Sequence, residues 1–427
     1  MRANNYVPAL CILFSFLFFL VDCESPDDAP PLISITTPAD ASIVTGDTLI
    51  KVDASDDTAV ECVTFYAGAV LLFTDTITPY EYTWELNEAD NAAYTIMVVA
   101  EDTSGNTAAA AVTITVAIDA DVTMPVPSVF PDIFPHNALL SFTTATPEAD
   151  IFTGISNGSQ ATEPDSWIQE SGIILDEPGA FTIFARSIKT GLPDSVVFSE
   201  LITVAAEFPP AAGQEGTSAV SMDDPSIVGW ATGYENYTVG EDCVPAWQTP
   251  EKALGEAVGD SYDIVCLGNG GEITVTFDNP VTNGDGPDFI VFENSITDTF
   301  LEFAYVEVSS NGTDFIRFDC VSLTASPVDA FGVVQPEHVT GLAGKYRQGF
   351  GTPFDLSRLT YREKVRNGTV NITNITHIRF IDIWGNPESG TTDYDSFGNI
   401  IYDLYRCVGS GGFDLDAVGI LYQLEAG

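Results

Sequence analysis

LGNGGEITVTF (267–277), GPDFIVFEN (286–294), AYVEVSSNGTDFIRF (304–318) and GGFDLDAVGI (411–420) decide the fold class of this chain. Each is a short apolar or alternating run closed by Gly, Asp or Asn, the pattern of strands that bury one sheet face and wet the other. Together they predict a β-sandwich over 207–427. One short helix is expected in this region, over TPEKALGEAVG (249–259), where Thr249 can cap, Pro250 suits the first turn and Glu251 favours the positive end of the helix.

Working outward, the 427 residues are too many for one core and suggest about three domains. The N-terminus carries Arg2 ahead of the apolar run VPALCILFSFLFFLV (7–21), which is short for a membrane span and reads as an export signal over 1–23. LVDC, ending at Cys23, resembles a bacterial lipobox with Asp22 in place of the small residue expected there. A lipid anchor at Cys23, ordinary secretion and a retained anchor all remain open. Residues 24–31, ESPDDAPP, form an acidic, Pro-rich tether. The chain is expected outside the cytoplasm, at the cell surface or as an outer-membrane lipoprotein, with the membrane reached only through the N-terminus.

Asp and Glu number 62 against 14 Lys and Arg, a net charge of -48 that repels nucleic acid and anionic lipid alike. Such a surface suits a soluble exported protein, and some of its carboxylates could hold calcium in a structural role. Of the seven cysteines, Cys62 sits in the strand-like VECVTFYA as a small buried thiol. Cys243, Cys266, Cys320 and Cys407 fall in the C-terminal region, where export permits up to two disulfides in any of three pairings.

Residues 32–118 show strands at regular intervals, with TPAD at 37–40, PYEYTW at 79–84 and the turn AEDTSGNT at 100–107. This segment resembles a bacterial Ig-like domain, and the resemblance implies a spacer. Asp102, Gly105 and Asn106 read as turn chemistry, because Gly and Asn tolerate positive φ and Asp accepts from local amides. Residues 119–206 open with the Pro-rich MPVPSVFPDIFP (124–135) and continue through FTGISNGSQATEPDSW and GAFTIFARSIKTGLPDSVVFSELITV. They are similar to the Fn3-like domain appended to chitobiases and other surface glycosidases, where it is an accessory. The third segment, 207–427, resembles an uncharacterised family of bacterial cell-surface proteins, which implies a jelly-roll sandwich of the galactose-binding or discoidin-like kind. The fold class is therefore all-β, two Ig/Fn3-like sandwiches followed by a jelly roll.

Candidate chemistry is confined to the third segment. Strand alternation along DFIVFEN separates Asp288 from Glu293 and leaves Glu293 with Asn294 at the strand end as a calcium-ligand pair. A second candidate site is Asp393, Asp395, Asn399 and Asp403 in TTDYDSFGNIIYD, which begins like a calcium loop but lacks the EF-hand spacing. In GGFDLDAVGI, Asp414 and Asp416 share the strand face opposite Leu415, roughly 6.5 to 7 Å apart. That spacing could suit glycoside chemistry, but strand-borne Asp residues are more often solvated or bonded to loop amides, and no catalytic residue is assigned. None of His136, His338 and His377 lies in a nucleophilic motif, so the chain is expected to be no enzyme. Six basic residues gather between Lys345 and Arg366. Among them Lys345, Tyr346, Arg347 and Phe350 could stack on a sugar ring and grip its carboxylate or sulfate, making an extracellular polysaccharide or surface ligand the expected partner. Pairing of these cations with the segment's own carboxylates is the alternative. A polysaccharide-processing enzyme and a purely structural adhesin or envelope component are the competing functions.

Overall fold

The computed structural model describes residues 27–118, 122–159, 162–164, 166–385, 390–405 and 409–424. The expected export signal, Cys23 and Cys407 lie outside them. The described chain is nearly all strand, and it divides into two compact units at Ala120/Asp121.

In the first unit, a three-stranded antiparallel sheet (Leu32–Thr37, Thr48–Ser55, Tyr80–Trp84) faces a five-stranded one built around Val60–Ala67, Ala93–Asp102 and Thr107–Val116. Alternation drives this packing, because side chains of one parity meet in the core and those of the other face water. Ile96, Val98 and Ala100 point inward with Ile50, Val63 and Phe65. The inward parity ends on Asp102, which is buried and accepts from Ser104 N (2.8 Å), Asn106 N (2.9 Å) and Asn106 Nδ2 (2.9 Å). Burial works against its charge, but the bonds from Asn106, Ser104 and Gly105 prevail and hold the carboxyl below its usual range. Gly105, at φ +89°, supplies the left-handed turn residue. The turn chemistry read at 102–106 is what the structure contains.

The second unit, from Asp121 on, holds both remaining segments. Residues 126–205 form two small sheets around Phe134, Leu140, Phe142, Ile183 and Phe198, and Tyr361 and Phe397 of the last segment complete that core. Tyr361 makes edge contacts with Phe130 (5.2 Å) and Phe198 (5.1 Å). Polar contacts reinforce the joint. Arg358 pairs with Asp132 at 2.9 Å, Arg362 pairs with Asp319, and the same Asp319 accepts from Phe130 N at 2.6 Å. The second and third segments are thus one packed body.

The third segment is a two-sheet sandwich. Phe289–Glu293 lies between Phe350–Phe354 and Asp414–Ile420 in one sheet; Glu272–Val281, Ile375–Asp382 and Ala304–Ser309 form the other. Ile273, Val275, Val306, Ile378 and Phe380 of one sheet meet Phe289, Val291, Leu415, Val418 and Ile420 of the other. Two local expectations are corrected. The helix over 249–259 is a single 3-10 turn, Pro250–Ala253, because Thr249 Oγ1 donates to Ile264 O (2.8 Å) instead of capping it. The strands Phe289–Glu293 and Asp414–Ile420 have no wet face and are buried at every position. Ile290, Phe292 and Ala417 pack outward under Trp230, Met222 and Ile227.

Because the Asp319 carboxylate is almost fully buried and Arg362 only partly so, Arg362→Ala should cost roughly 2 kcal/mol, less than a fully buried pair would. Arg366→Ala, at an exposed position, should leave stability within about 0.5 kcal/mol of the parent. Urea denaturation of the full chain reads both values, and equal effects would mean that the Arg362 pair does not brace the joint.

Candidate functional site

The expected ligand residues divide at the surface. Lys345 and Tyr346 are each only 2% exposed, which corrects the expectation that they grip a ligand. Lys345 Nζ donates to Val339 O (2.6 Å), and burial pulls its pKa down to about 7 against the opposing charges of Glu337 and Asp132. The Tyr346 hydroxyl is engaged with Ser218 Oγ at 2.8 Å. Arg347 and Phe350 stay at the surface as a stacked pair, with the guanidinium 4.5 Å from the ring centroid and 3.5 Å from Asp298 Oδ1. The other cations of the cluster that bond in the structure pair with the chain's own carboxylates: Arg358 with Asp132, Arg362 with Asp319, and Lys364 with Asp314 at 3.2 Å.

Around Arg347 the loops expose apolar surface that sequence reading did not find. Phe331 is 88% exposed, stacked on Phe300 with centroids 6.5 Å apart, and Ile296 (66%) and Val333 (56%) are exposed in the same loops as these two rings. Val334 N donates to Thr299 O (2.9 Å) and Gln348 N to Ser295 O (2.8 Å), which ties loops 295–300, 331–334 and 347–350 together. Ser261 Oγ bonds Gln348 Oε1 (3.0 Å) and brings exposed Tyr262, stacked on Trp247 at 6.3 Å, to the same region. Phe331 sits in a loop without strand periodicity, so the only signal it leaves in the sequence is an unexplained aromatic.

The expected calcium loop is also corrected. Asp395 is buried and accepts from Ser322 N (3.0 Å), Phe397 N (2.9 Å), Asn399 N (2.8 Å) and Asn399 Nδ2 (2.9 Å). Asp403 accepts from Phe303 N and Leu404 N, and Asp393 from Trp384 N. These carboxylates are committed to amides, and Asn399 spends its side chain on Asp395. Among the described residues, the acidic group with three ligand atoms within 4.8 Å of one another is Asp27, Asp56 and Asp102 in the first unit. Asp414 and Asp416 are both buried, and Asp416 accepts from Val258 N (3.1 Å) and Gly259 N (2.9 Å), so this pair presents no open catalytic face. Glu293 and Asn294, read apart from Asp414, are brought beside it: Asn294 Nδ2 donates to Asp414 Oδ2 at 3.1 Å.

Cys62 is half-buried and Cys320 buried in the smaller core cluster. The Cys243 thiol lies in hydrogen-bonding reach of the Cys266 thiol and 3.7 Å from Cys266 O.

Residues 31–98 match the family model for bacterial Ig domains, so the first segment is a bacterial Ig domain, a module of extracellular and surface proteins. A search of curated proteins finds no match. Among solved structures, the chain is similar to the fibronectin(III)-like modules of Clostridium thermocellum CbhA, at 18% identity over 40% of this chain and 94% of that one, TM-score 0.20. It is also similar to the N-terminal Ig1-2 module of the Drosophila receptor protein tyrosine phosphatase DLAR, at 15% identity over 42% and 100%, TM-score 0.17. A third likeness is to the endo-beta-1,4-mannanase of Thermotoga petrophila, 13% identical over 22% of this chain and 21% of that one, TM-score 0.18. The chain spans about a fifth of that enzyme's length, and at these TM-scores the likenesses carry no argument about activity. Among the described residues, no helix is long and apolar enough to cross a membrane.

Two measurements follow. Oxidation of the full chain by a small-molecule disulfide should join Cys243 to Cys266, seen as one linked peptide in a non-reducing digest; Cys243 and Cys266 that never link to each other would contradict their placement. Asp288 is a pH probe. Burial pushes its pKa up to about 7, against bonds from Leu356 N and Gly284 N. The folded chain therefore holds an extra proton between about pH 4 and pH 7, so this stabilisation is full below about pH 4 and is lost as pH rises through 7. Asp288→Asn should flatten that part of the decline in urea-unfolding free energy, and an unchanged slope would mean the carboxyl is already ionised in the fold.

Proposed function

We propose that the chain is a non-catalytic, exported surface protein whose C-terminal sandwich binds an extracellular carbohydrate through the loops at 295–300, 331–334 and 347–350, with the bacterial Ig domain acting as a spacer. The observation that carries this reading is Phe331, a phenylalanine almost wholly in water, on linked loops that also expose Ile296 and Val333 and carry the stacked Arg347. Leaving such a patch wet forgoes burial worth about 2 kcal/mol for a large apolar side chain, which is unusual on a well-packed sandwich unless another surface covers it.

The chemistry selects a sugar with an acidic group. Flat aromatic faces stack on the CH surfaces of a pyranose, and Arg347 adds a planar fork for a carboxylate or sulfate. Phe350 beneath the guanidinium and Asp298 beside it hold the fork in place. In a chain of net charge -48 the long-range field repels a polyanion, so recognition would depend on these short-range contacts.

The test is retention of the full chain on a glycan array spanning neutral, uronate and sulfated polysaccharides. Phe331→Ala should lower retention at least about tenfold with the melting temperature unchanged, since the ring supports little of the fold. Arg347→Ala should weaken binding to acidic glycans more than to neutral ones. Retention that is equal in both variants and the parent would remove this face, and turnover of any polysaccharide on the panel would replace the binding reading with an enzymatic one.

A further inference from the structure

Most buried carboxylates of the C-terminal sandwich are bonded at both oxygens. In Asp288, Asp382, Asp395, Asp403 and Asp416, both oxygens accept a hydrogen bond from a backbone amide. In Asp319 and Glu307, both oxygens are taken by arginines or an amide. Glu293 and Asp414 differ. Each is 1% exposed, and each has one oxygen satisfied and the other with no hydrogen-bond partner, Glu293 Oε1 and Asp414 Oδ1.

The two groups are neighbours by construction. Glu293 ends the central strand and Asp414 begins the strand beside it. Their register slips by a residue where Phe292 faces Ala417 and Glu293 faces Leu415, which draws the two acidic strand ends together. Glu293 Oε2 accepts from Ser295 N (2.7 Å) and from the Ser295 hydroxyl, and Asp414 Oδ2 accepts from Asn294 Nδ2 (3.1 Å). Burial, and then the Asp414 charge, push the Glu293 carboxyl well above the usual carboxylate range. No lysine, arginine or histidine among the described residues forms an ion pair with either acid. Two like charges out of water with an unfilled oxygen each are costly, and a divalent cation between them removes both the repulsion and the missing bonds.

We propose that Glu293 and Asp414 bind a calcium ion at the root of the loop that carries Ile296, Asp298 and Phe300. The donors are carboxylate oxygens, the hard ligands calcium takes. Of the nearby thiols, which would suit a softer metal, Cys243 Sγ donates to Cys266 O (3.7 Å) and Cys266 Sγ to Gly411 O (3.2 Å), and the Cys266 thiol also lies in hydrogen-bonding reach of Asp414. The ion fixes the loop whether or not the face above it binds a glycan, so the two ideas fail separately.

The test uses the full chain, stripped with chelator and titrated with calcium chloride by calorimetry, with thermal unfolding recorded at each end point. Calcium should raise the melting temperature of the second unit. Glu293→Gln and Asp414→Asn should each weaken binding at least about tenfold, while Asp56→Asn, in the acidic cluster of the first unit, should leave it intact. If the two core variants do not fold, the Asp56→Asn chain decides alone: calcium binding retained there supports the site, and calcium binding lost overturns it. Identical melting with calcium and with chelator, or calcium held undiminished by a folded Glu293→Gln chain, also overturns it.

Discussion

Backbone amides in the loops of the C-terminal sandwich are buried, and a buried N–H must find an acceptor; here the acceptor is a buried carboxylate. Asp382 bonds Gly270 N and Phe413 N and so ties the turn after Leu267 to the start of the last strand. Asp403 bonds Phe303 N across the sandwich end, and Asp288 joins Gly284 to Leu356. Each carboxyl offers two acceptor oxygens, so one side chain can tie two loop amides and lets long irregular loops hold fixed positions without helices or sheets of their own. The acidic composition is therefore partly structural. It is more than a solubility coat.

The same economy of charge explains why the basic cluster is no open binding site. The chain has 14 lysines and arginines, and those that cluster in sequence between 345 and 366 disperse in space. Arg358 and Arg362 brace the second segment against the third, and Lys345 is buried against Val339. Of the four residues expected to meet a ligand, Arg347 and Phe350 keep a surface position, and they do so beside aromatics contributed by other loops. Tyr361, whose ring completes the second segment's core, makes that segment part of the same body as the sandwich.

The period-2 runs made the strands legible. The turn at Asp102 was legible too, because Asp, Gly and Asn at close spacing have few structural uses. Whether a strand's second face is wet depends on what crosses over it, and that is a long-range fact. The strands 289–293 and 414–420 were read with one wet face each, yet loops bearing Trp230, Met222, Val258 and Gly259 cover them. Asp395 and Asp403 look like ion ligands in sequence because amides that claim them come from Ser322 and Phe303, far away along the chain, while Asp393 is claimed by Trp384, nine residues before it. Phe331 and the meeting of Glu293 with Asp414 were hidden for the same reason, as each depends on residues brought together only by the sheet order.

The assignment of a ligand face to one end of the sandwich makes a claim about location, and hydrogen–deuterium exchange tests it most directly. The full chain would be measured free and in the presence of whichever polysaccharide retains it. Slower exchange confined to 295–300, 331–334 and 347–350 is the predicted result. Protection that falls instead on the bacterial Ig domain, or on the groove lined by Tyr361, Arg362 and Arg366, would contradict it.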